Sequence, residues 1–430
     1  MSSTITSCFV VILSIIMMLL RNNTTFKQRL ARKLENTMTR FNKHIPISQD
    51  FKLETSPYFK QPVGLAGIFD SLTQFQEYKV RALRQNGIIF HRTKELNSSL
   101  LDQLRELQYF DKLVDVNHAI EKNHAVTEAI IRHTLQQLVK NNTLDTDNGK
   151  EITSMIGKLG YQVTASSEVS KISSEVVLES KSNQGRVNEA ISHICRDWHF
   201  EYEKERTPLI NFINSRLDSL KGQRKTLVVF PGSGAGNLAY QIAKDHPNFE
   251  VHSIEFSSLM YLCNEFILGH NGKVTIAPYA QHYSGQEKFD FQKRDLELNL
   301  EKFHRPPNLK PLFGDFRAYT PLSDYDEIVV CSAYFIDTAE NLFQYFEAVE
   351  QLCSFSPTIH WINIGPLKYG TRPLIQLSSE ELAKLRKLRK WKDLYSECDT
   401  THLNGYLTDE HSLYQGFYGL VKFHSVFTGN

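Results

Sequence analysis

The chain has 430 residues, 41% hydrophobic and 11% aromatic, enough to bury one large core or two ordinary ones; a disordered protein is excluded and two or three domains are expected. Lys and Arg total 49 against 48 Asp and Glu, so a formal charge of +1 gives no field that would collect polyanions, and no nucleic-acid partner is expected. The 6 cysteines (Cys8, Cys195, Cys263, Cys331, Cys353, Cys398) show no C-x-x-C pair and no Cys/His cluster at zinc spacing. They read as reduced core thiols of a cytoplasmic protein, with a nuclear location also open, and no metal site is expected.

Residues 1–50 read as an N-terminal extension. Cys8 to Leu20 is apolar except for Ser14, yet a membrane-spanning helix needs about 20 such residues. A secretory signal is disfavoured because the residues before the run are uncharged and Arg21 follows it. Membrane contact is expected only if this run anchors, with Arg21, Lys27, Arg29, Arg32 and Lys33 on the cytoplasmic side. Residues 51–200 read as a helical domain, with Leu100, Leu104 and Leu107, then Ile131, Leu135 and Leu138, at helical spacing. A polar loop is expected at 141–186, where Ser, Thr, Asn, Gly and Lys dominate. Helices are expected again over 187–199 and 207–220.

Residues 201–430 change character after Gly222, where short β-branched runs alternate with helical patterns. Strands are expected at 226–230, 250–254, 326–330 and 358–364, and helices at 237–244, 259–268 and 339–352. This is the pattern of an α/β domain with a doubly wound, Rossmann-like sheet, whose ligands bind beyond the carboxyl ends of the strands.

The first of these strands runs into Pro231-Gly232-Ser233-Gly234-Ala235-Gly236, and a helix opens directly after it. Glycines let the backbone turn sharply and approach a ligand, while the helix start offers unpaired N–H groups. Glu255 ends the second strand, where a carboxylate can accept hydrogen bonds from both hydroxyls of a ribose. The glycine spacing is G-x-G-x-G, in contrast to the G-x-G-x-x-G of dinucleotide sites, which makes an oxidoreductase the least favoured reading. Gly314-Asp315-Phe316 adds an acid to accept from an adenine amine and a ring to stack on it.

The series PGSGAGNLAYQIA, IEFSSLMYLCNEFIL, GDF, YFIDTAENLFQYFEAV and WINIGPLKYG resembles the carnosine N-methyltransferase family, including its fungal members. The resemblance runs from about Gln74, through Arg196-Asp197-Trp198, to Phe427. It implies a methyltransferase domain using S-adenosylmethionine and acting on an imidazole nitrogen of carnosine or a related small histidine-containing peptide. By motif it implies cofactor contacts at Arg196, Gly232, Glu255, Asp315 and Phe316, with Gly234 and Gly236 shaping the loop. His193 and Ala333 occupy positions where the family has a glutamine and a cysteine that contact the cofactor, and both stand as candidate cofactor contacts; a backbone contact can survive at Ala333, while the structural alternative for His193 is a helix-surface residue.

For the substrate side the resemblance implies Asp337, as the catalytic carboxylate holding the imidazole, with Tyr406 and Tyr418. A carboxylate that accepts one ring N–H fixes both the tautomer and the aim of the other nitrogen. The structural alternative for Asp337 is to cap a helix beginning at Thr338. The family's GPLLYH stands here as Gly365-Pro366-Leu367-Lys368-Tyr369-Gly370, so Gly370 replaces a substrate-contacting histidine, and Gly416 replaces one of three tyrosines. The acceptor is therefore open: another histidine-containing peptide or protein, or none in a non-catalytic S-adenosylmethionine-binding module. A homodimer is equally open.

Overall fold

The computed structural model describes residues 57–60, 65–179, 183–220, 224–370 and 372–429. The apolar run at 8–20 lies outside them. Three helices come first: α1 (Leu65–Thr93), α2 (Ser98–Glu106) and α3 (Tyr109–Asn141). In α1 the buried Leu65, Ile68, Phe69, Leu72 and Phe75 repeat every three or four residues, as do Ile131, Leu135 and Leu138 of α3. The Leu100 and Leu107 stripe behaves differently, for both side chains are exposed and α2 buries nothing. Asn123 of α3 clamps this layer to the rest of the unit: its amide donates to Tyr78 Oη (3.0 Å) and Ala277 O (2.9 Å) and accepts from Ala277 N (2.8 Å).

The stretch expected as a polar loop at 141–186 is partly ordered, which corrects that expectation. It holds helix α4 (Asp147–Lys158) and an antiparallel hairpin of β1 (Tyr161–Val163) and β2 (Val169–Lys171). Thr146 caps α4 by accepting from Gly149 N at 3.1 Å, and Ile152, Ile156 and Leu159 are buried at helical spacing within the polar composition. Among the described residues of its second half, 172–179 form the longest run without regular structure. Helices α5 (Gln184–Trp198) and α6 (Glu203–Leu217) then lead to the sheet.

The sheet has seven strands in the order β10-β11-β9-β8-β3-β4-β7. The parallel strands are β3 (Thr226–Pro231), β4 (Glu250–Glu255), β7 (Leu309–Phe313), β8 (Glu327–Ala333) and β9 (Ile359–Gly365); β11 (Phe417–Phe427) enters antiparallel to β9, and β10 (Trp391–Gly405) closes the edge. Strands β3 and β9 are buried along their whole length, which explains their continuous apolar runs. Helices α7 (Asn237–Asp245), α8 (Ser258–Gly269) and α10 (Leu342–Glu350) follow β3, β4 and β8; a short α9 (Phe289–Gln292) lies between β5 (Lys273–Ile276) and β6 (Leu296–Asn299), which pair separately. Leu227, Val229, Ile328, Val330, Phe346 and Trp361 belong to one hydrophobic core on the sheet. The chain leaves β3 toward β4 and returns to β8 on the other side, so the topological switch lies between β3 and β8.

Three of the described cysteines, Cys195, Cys263 and Cys331, are buried free thiols as expected; Cys398 is exposed on the edge strand β10 and is not a core residue.

Candidate functional site

The glycine loop follows β3 at this switch. Gly232, Gly234 and Gly236 have φ of 62°, 59° and 89°, a region that side chains strain to enter. Close packing adds a second constraint at two of them: a Cβ on Gly232 would stand 2.4 Å from the Phe335 ring, and one on Gly236 would stand 2.5 Å from the Asn264 amide. At Gly234 the nearest atom would be Asp197 Oδ2 at 3.5 Å, an ordinary contact. Gly236→Ala is therefore expected to cost roughly 2–4 kcal/mol of stability, and Gly234→Ala only about 1 kcal/mol. Urea denaturation of the two variants checks the difference.

Glu255 closes the loop from β4. One oxygen accepts from Gly234 N and the other from Ser257 N, both at 2.7 Å. A carboxylate has about four lone-pair sites, so Glu255 keeps capacity for a ligand donor beyond its backbone partners. Burial pushes its pKa up to about 7, against the lowering effect of the Ser257, Gly234 and Phe256 N–H groups.

The Arg196-Asp197-Trp198 motif at the end of α5 supports the loop from behind. Asp197 Oδ2 accepts from Ala235 N at 3.1 Å, and Trp198 Nε1 donates to Ala235 O at 2.8 Å. Arg196 is buried; it donates to Asp197 Oδ1 at 3.1 Å and has Glu205 Oε2 3.5 Å from its Nε. Its guanidinium lies 4.3 Å from the Tyr406 ring centroid and 5.4 Å from that of Tyr334. Burial works against this charge, but Asp197, Tyr406 and Glu205 hold its pKa above the ordinary arginine value. Two roles in this motif, those of Asp197 and Trp198, were not expected, because their partners lie 38 and 37 positions away in sequence.

His193 corrects the expectation of a helix-surface residue. It is buried, its Nε2 meets Tyr406 Oη at 3.2 Å, and its Nδ1 has no protein partner. One turn before Arg196 on α5, it faces inward. Burial, with Arg196 adding to it against Asp197, brings its pKa down to about 4, so the ring is neutral at physiological pH.

These residues border two adjoining cavities. The larger is an open cleft of about 590 Å³ whose walls include Glu255, Asp315, Phe316, Phe335 and Tyr345, together with Ser71 and Gln74 of α1. The smaller contains Arg196, Asp197, Ala333 and Tyr406, and His193, Gly232, Gly234 and Tyr334 are common to both. Asp315 does line the cleft, but Arg317 binds it through two nitrogens, with Nε at 3.0 Å and Nη2 at 2.5 Å, so an incoming amine must share it. Gly236 shapes the loop without lining either cavity.

Asp337, Tyr418 and Gly370 stand beside these cavities and outside their linings. Asp337 is buried in a 3₁₀ turn after β8, and its Oδ2 accepts from Lys368 N at 2.9 Å. It caps no α-helix: α10 begins at Leu342 and is capped by Asn341, which accepts from Phe343 N at 3.1 Å. Burial raises the Asp337 pKa to about 6, with the Lys368 N–H opposing. Tyr418 joins Tyr334 and Tyr406, with ring centroids 6.3 and 6.2 Å away. Tyr334, at φ 52° directly after β8, is held by Asn404 Nδ2 on its hydroxyl at 3.0 Å. Sequence reasoning passed over this tyrosine, although its place at the carboxyl end of a central strand was a usable signal. Gly370 is exposed, with nothing within 4 Å of where a Cβ would stand.

The family model described as carnosine N-methyltransferase matches residues 173–429. An uncharacterized protein of Saccharomyces cerevisiae is 44% identical over 374 residues, which cover 84% of this chain and 82% of that protein. A carnosine N-methyltransferase of Schizosaccharomyces pombe is 29% identical, over 54% of this chain and 68% of its own length. One from Dictyostelium discoideum is 28% identical over 46% of each. Among solved structures, a magnesium protoporphyrin IX methyltransferase from Synechocystis superposes with a TM-score of 0.34 at 12% identity, covering 56% of this chain and 94% of that one.

Proposed function

This chain belongs to the carnosine N-methyltransferase family, and from that premise we propose that it methylates an imidazole nitrogen of carnosine or a closely related small histidine-containing peptide. It is a methyltransferase, and S-adenosylmethionine is its methyl donor. The donor supplies a methyl group on positively charged sulfur, open to attack by a nitrogen lone pair.

In this reading the Glu255 carboxylate receives the ribose hydroxyls, while Asp315 and Phe316 receive the adenine. Gly232 lets the backbone approach the ligand, and neutral His193, whose buried Nδ1 has no protein partner, borders both cavities. Ala333, whose side chain is only a methyl, offers backbone alone to the smaller cavity. Arg196 is already balanced by Asp197, so it holds the tyrosine wall as well as facing the ligand.

The observation that carries the acceptor side is Asp337: a buried carboxyl beyond β8, oriented by the backbone N–H groups of Lys368 and of Asp337 itself, whose remaining lone pairs would accept a ring N–H. Accepting that proton's hydrogen bond leaves the second ring nitrogen with its lone pair exposed, and the tyrosine wall of Tyr334, Tyr406 and Tyr418 limits how the ring can turn. As the nitrogen takes the methyl and becomes cationic, Asp337 stabilises the charge and can take the proton from the opposite nitrogen. The test is methyl incorporation from labelled S-adenosylmethionine across carnosine, other histidine dipeptides and dipeptides without histidine. Incorporation confined to the histidine peptides supports the reading, and none into any imidazole refutes it.

A second acceptor of the same class is favoured by one observation, the open space around Gly370 where the resembled motif carries histidine. A Cβ at position 370 meets no atom within 4 Å, so Gly370→His starts from open space. If the pocket has lost one contact to carnosine, this variant is expected to raise carnosine kcat/KM about 10-fold, the worth of one ordinary hydrogen bond. Unchanged kinetics would mean a pocket shaped for another histidine-containing acceptor.

A further inference from the structure

Lys368, in the segment leaving β9, is tied at both ends to the acceptor side of the site. Its backbone N–H donates to Asp337 Oδ2, and its ammonium donates to Tyr418 Oη at 3.0 Å, 5.4 Å from the centroid of that ring. A phenol satisfies one donor but supplies no counter-charge. Other lysines near the sheet are differently placed: Lys310 pairs with Glu250, and Lys422 with Glu397 and Asp399. Among the described residues no carboxylate lies within ion-pair distance of the Lys368 ammonium; Asp337 acts on it only from further off, as does Tyr414, 84% exposed on the same rim. Of the arginines bordering the cavities, Arg196 is occupied by Asp197 and Glu205, and Arg317 by Asp315. The rim beside Asp337 thus presents an exposed ammonium with open donor capacity.

We propose that Lys368 determines acceptor specificity by pairing with a free carboxylate of the methyl acceptor, so that the site takes small imidazole compounds bearing a carboxylate close to the ring and rejects histidines inside a protein chain. The proposal rests on the reading of Asp337 as the imidazole-holding group. Asp337 and Lys368 then receive the two ends of one acceptor, the ring N–H on the carboxylate and the acceptor's carboxylate on the ammonium. Two fixed points separate a histidine that ends a peptide from one that continues it, because an amide offers no negative charge.

The test uses the full chain and steady-state kinetics with carnosine and carnosine C-terminal amide, for the unmodified protein, Lys368→Met and Lys368→Arg. The Lys368 side chain is exposed, and Met retains the backbone N–H that holds Asp337. Lys368→Met is expected to raise the KM for carnosine about 10-fold with little change in kcat, to leave the KM for the amide unchanged, and Lys368→Arg to restore most of the loss. Equal shifts for both peptides, or none for carnosine, overturn the proposal. If the unmodified protein methylates neither peptide, the acceptor reading has failed, and charge selection is read separately by titrating imidazoleacetate and histamine into protein saturated with S-adenosylhomocysteine. Preference for imidazoleacetate that disappears in Lys368→Met supports the proposal; the same ratio in both proteins overturns it.

Discussion

Asp337→Asn is expected to lower kcat by roughly 100-fold or more while S-adenosylmethionine affinity stays nearly unchanged, because the carboxylate aims the acceptor and does not touch the methyl donor. Asn keeps the size of Asp and can still accept from Lys368 N, so the local fold should survive. What it loses is the negative charge facing the ring as that ring becomes cationic, and the capacity to take its proton. If Asp337 served structure alone, Asn would replace it almost freely. The decisive pair of measurements is single-turnover methyl transfer and calorimetric titration with S-adenosylmethionine. Near-normal turnover on any acceptor that the unmodified protein methylates would sink the mechanism; a parallel loss of cofactor affinity would move Asp337 to the donor side.

Glu255→Ala is expected to weaken S-adenosylmethionine binding by about 1.5–3 kcal/mol, or roughly 10- to 150-fold, since it removes a charge-assisted acceptor for two hydroxyls. Alanine also leaves the Gly234 and Ser257 N–H groups without their acceptor, so Glu255→Gln, which keeps one carbonyl oxygen, is the necessary companion. The pH dependence separates charge from shape. The folded-state pKa of about 7 lies above the ordinary carboxylate value of 4.5, so the native state holds a proton that the unfolded chain has released between these limits. This group's contribution to stability is therefore full below about pH 4.5 and declines as pH rises through about 7. Cofactor binding runs the other way, because the ionised form is the better acceptor for both hydroxyls. Affinity should climb between pH 6 and 8, with proton release on binding, and Glu255→Gln should flatten the climb. A pH-independent affinity in the unmodified protein would exclude Glu255 from the ribose contact.

What was legible in the sequence was local. The run TLVVFPGSGAG codes a buried strand and a turn with positive φ at three glycines, and each cause lies within a few residues of its effect. The same holds for Glu255 at the end of β4 and for the strand-helix alternation behind them. Other elements lacked such a signal. β7 contains Pro311, which argues against a strand, and it is tolerated because β7 lies at the sheet edge. β10 is exposed over most of its length, so it shows no burial pattern to read. The helix α4 was hidden by polar composition around three buried apolar residues.

The sequence by itself determined the α/β plan, the glycine loop, the identity of the motif residues and, through its resemblance, the reaction class. Tertiary structure alone decided that Asp197 and Trp198 brace the loop from α5, that His193 is buried and neutral, that Tyr334 joins Tyr406 and Tyr418 in one wall, and that Asp337 is held by Lys368 instead of capping a helix. The physical reason is separation along the chain. Turn chemistry and apolar periodicity act between near neighbours, whereas the pKa of a buried group and the partner of a free carboxylate oxygen depend on strands and helices brought together from tens to hundreds of positions apart.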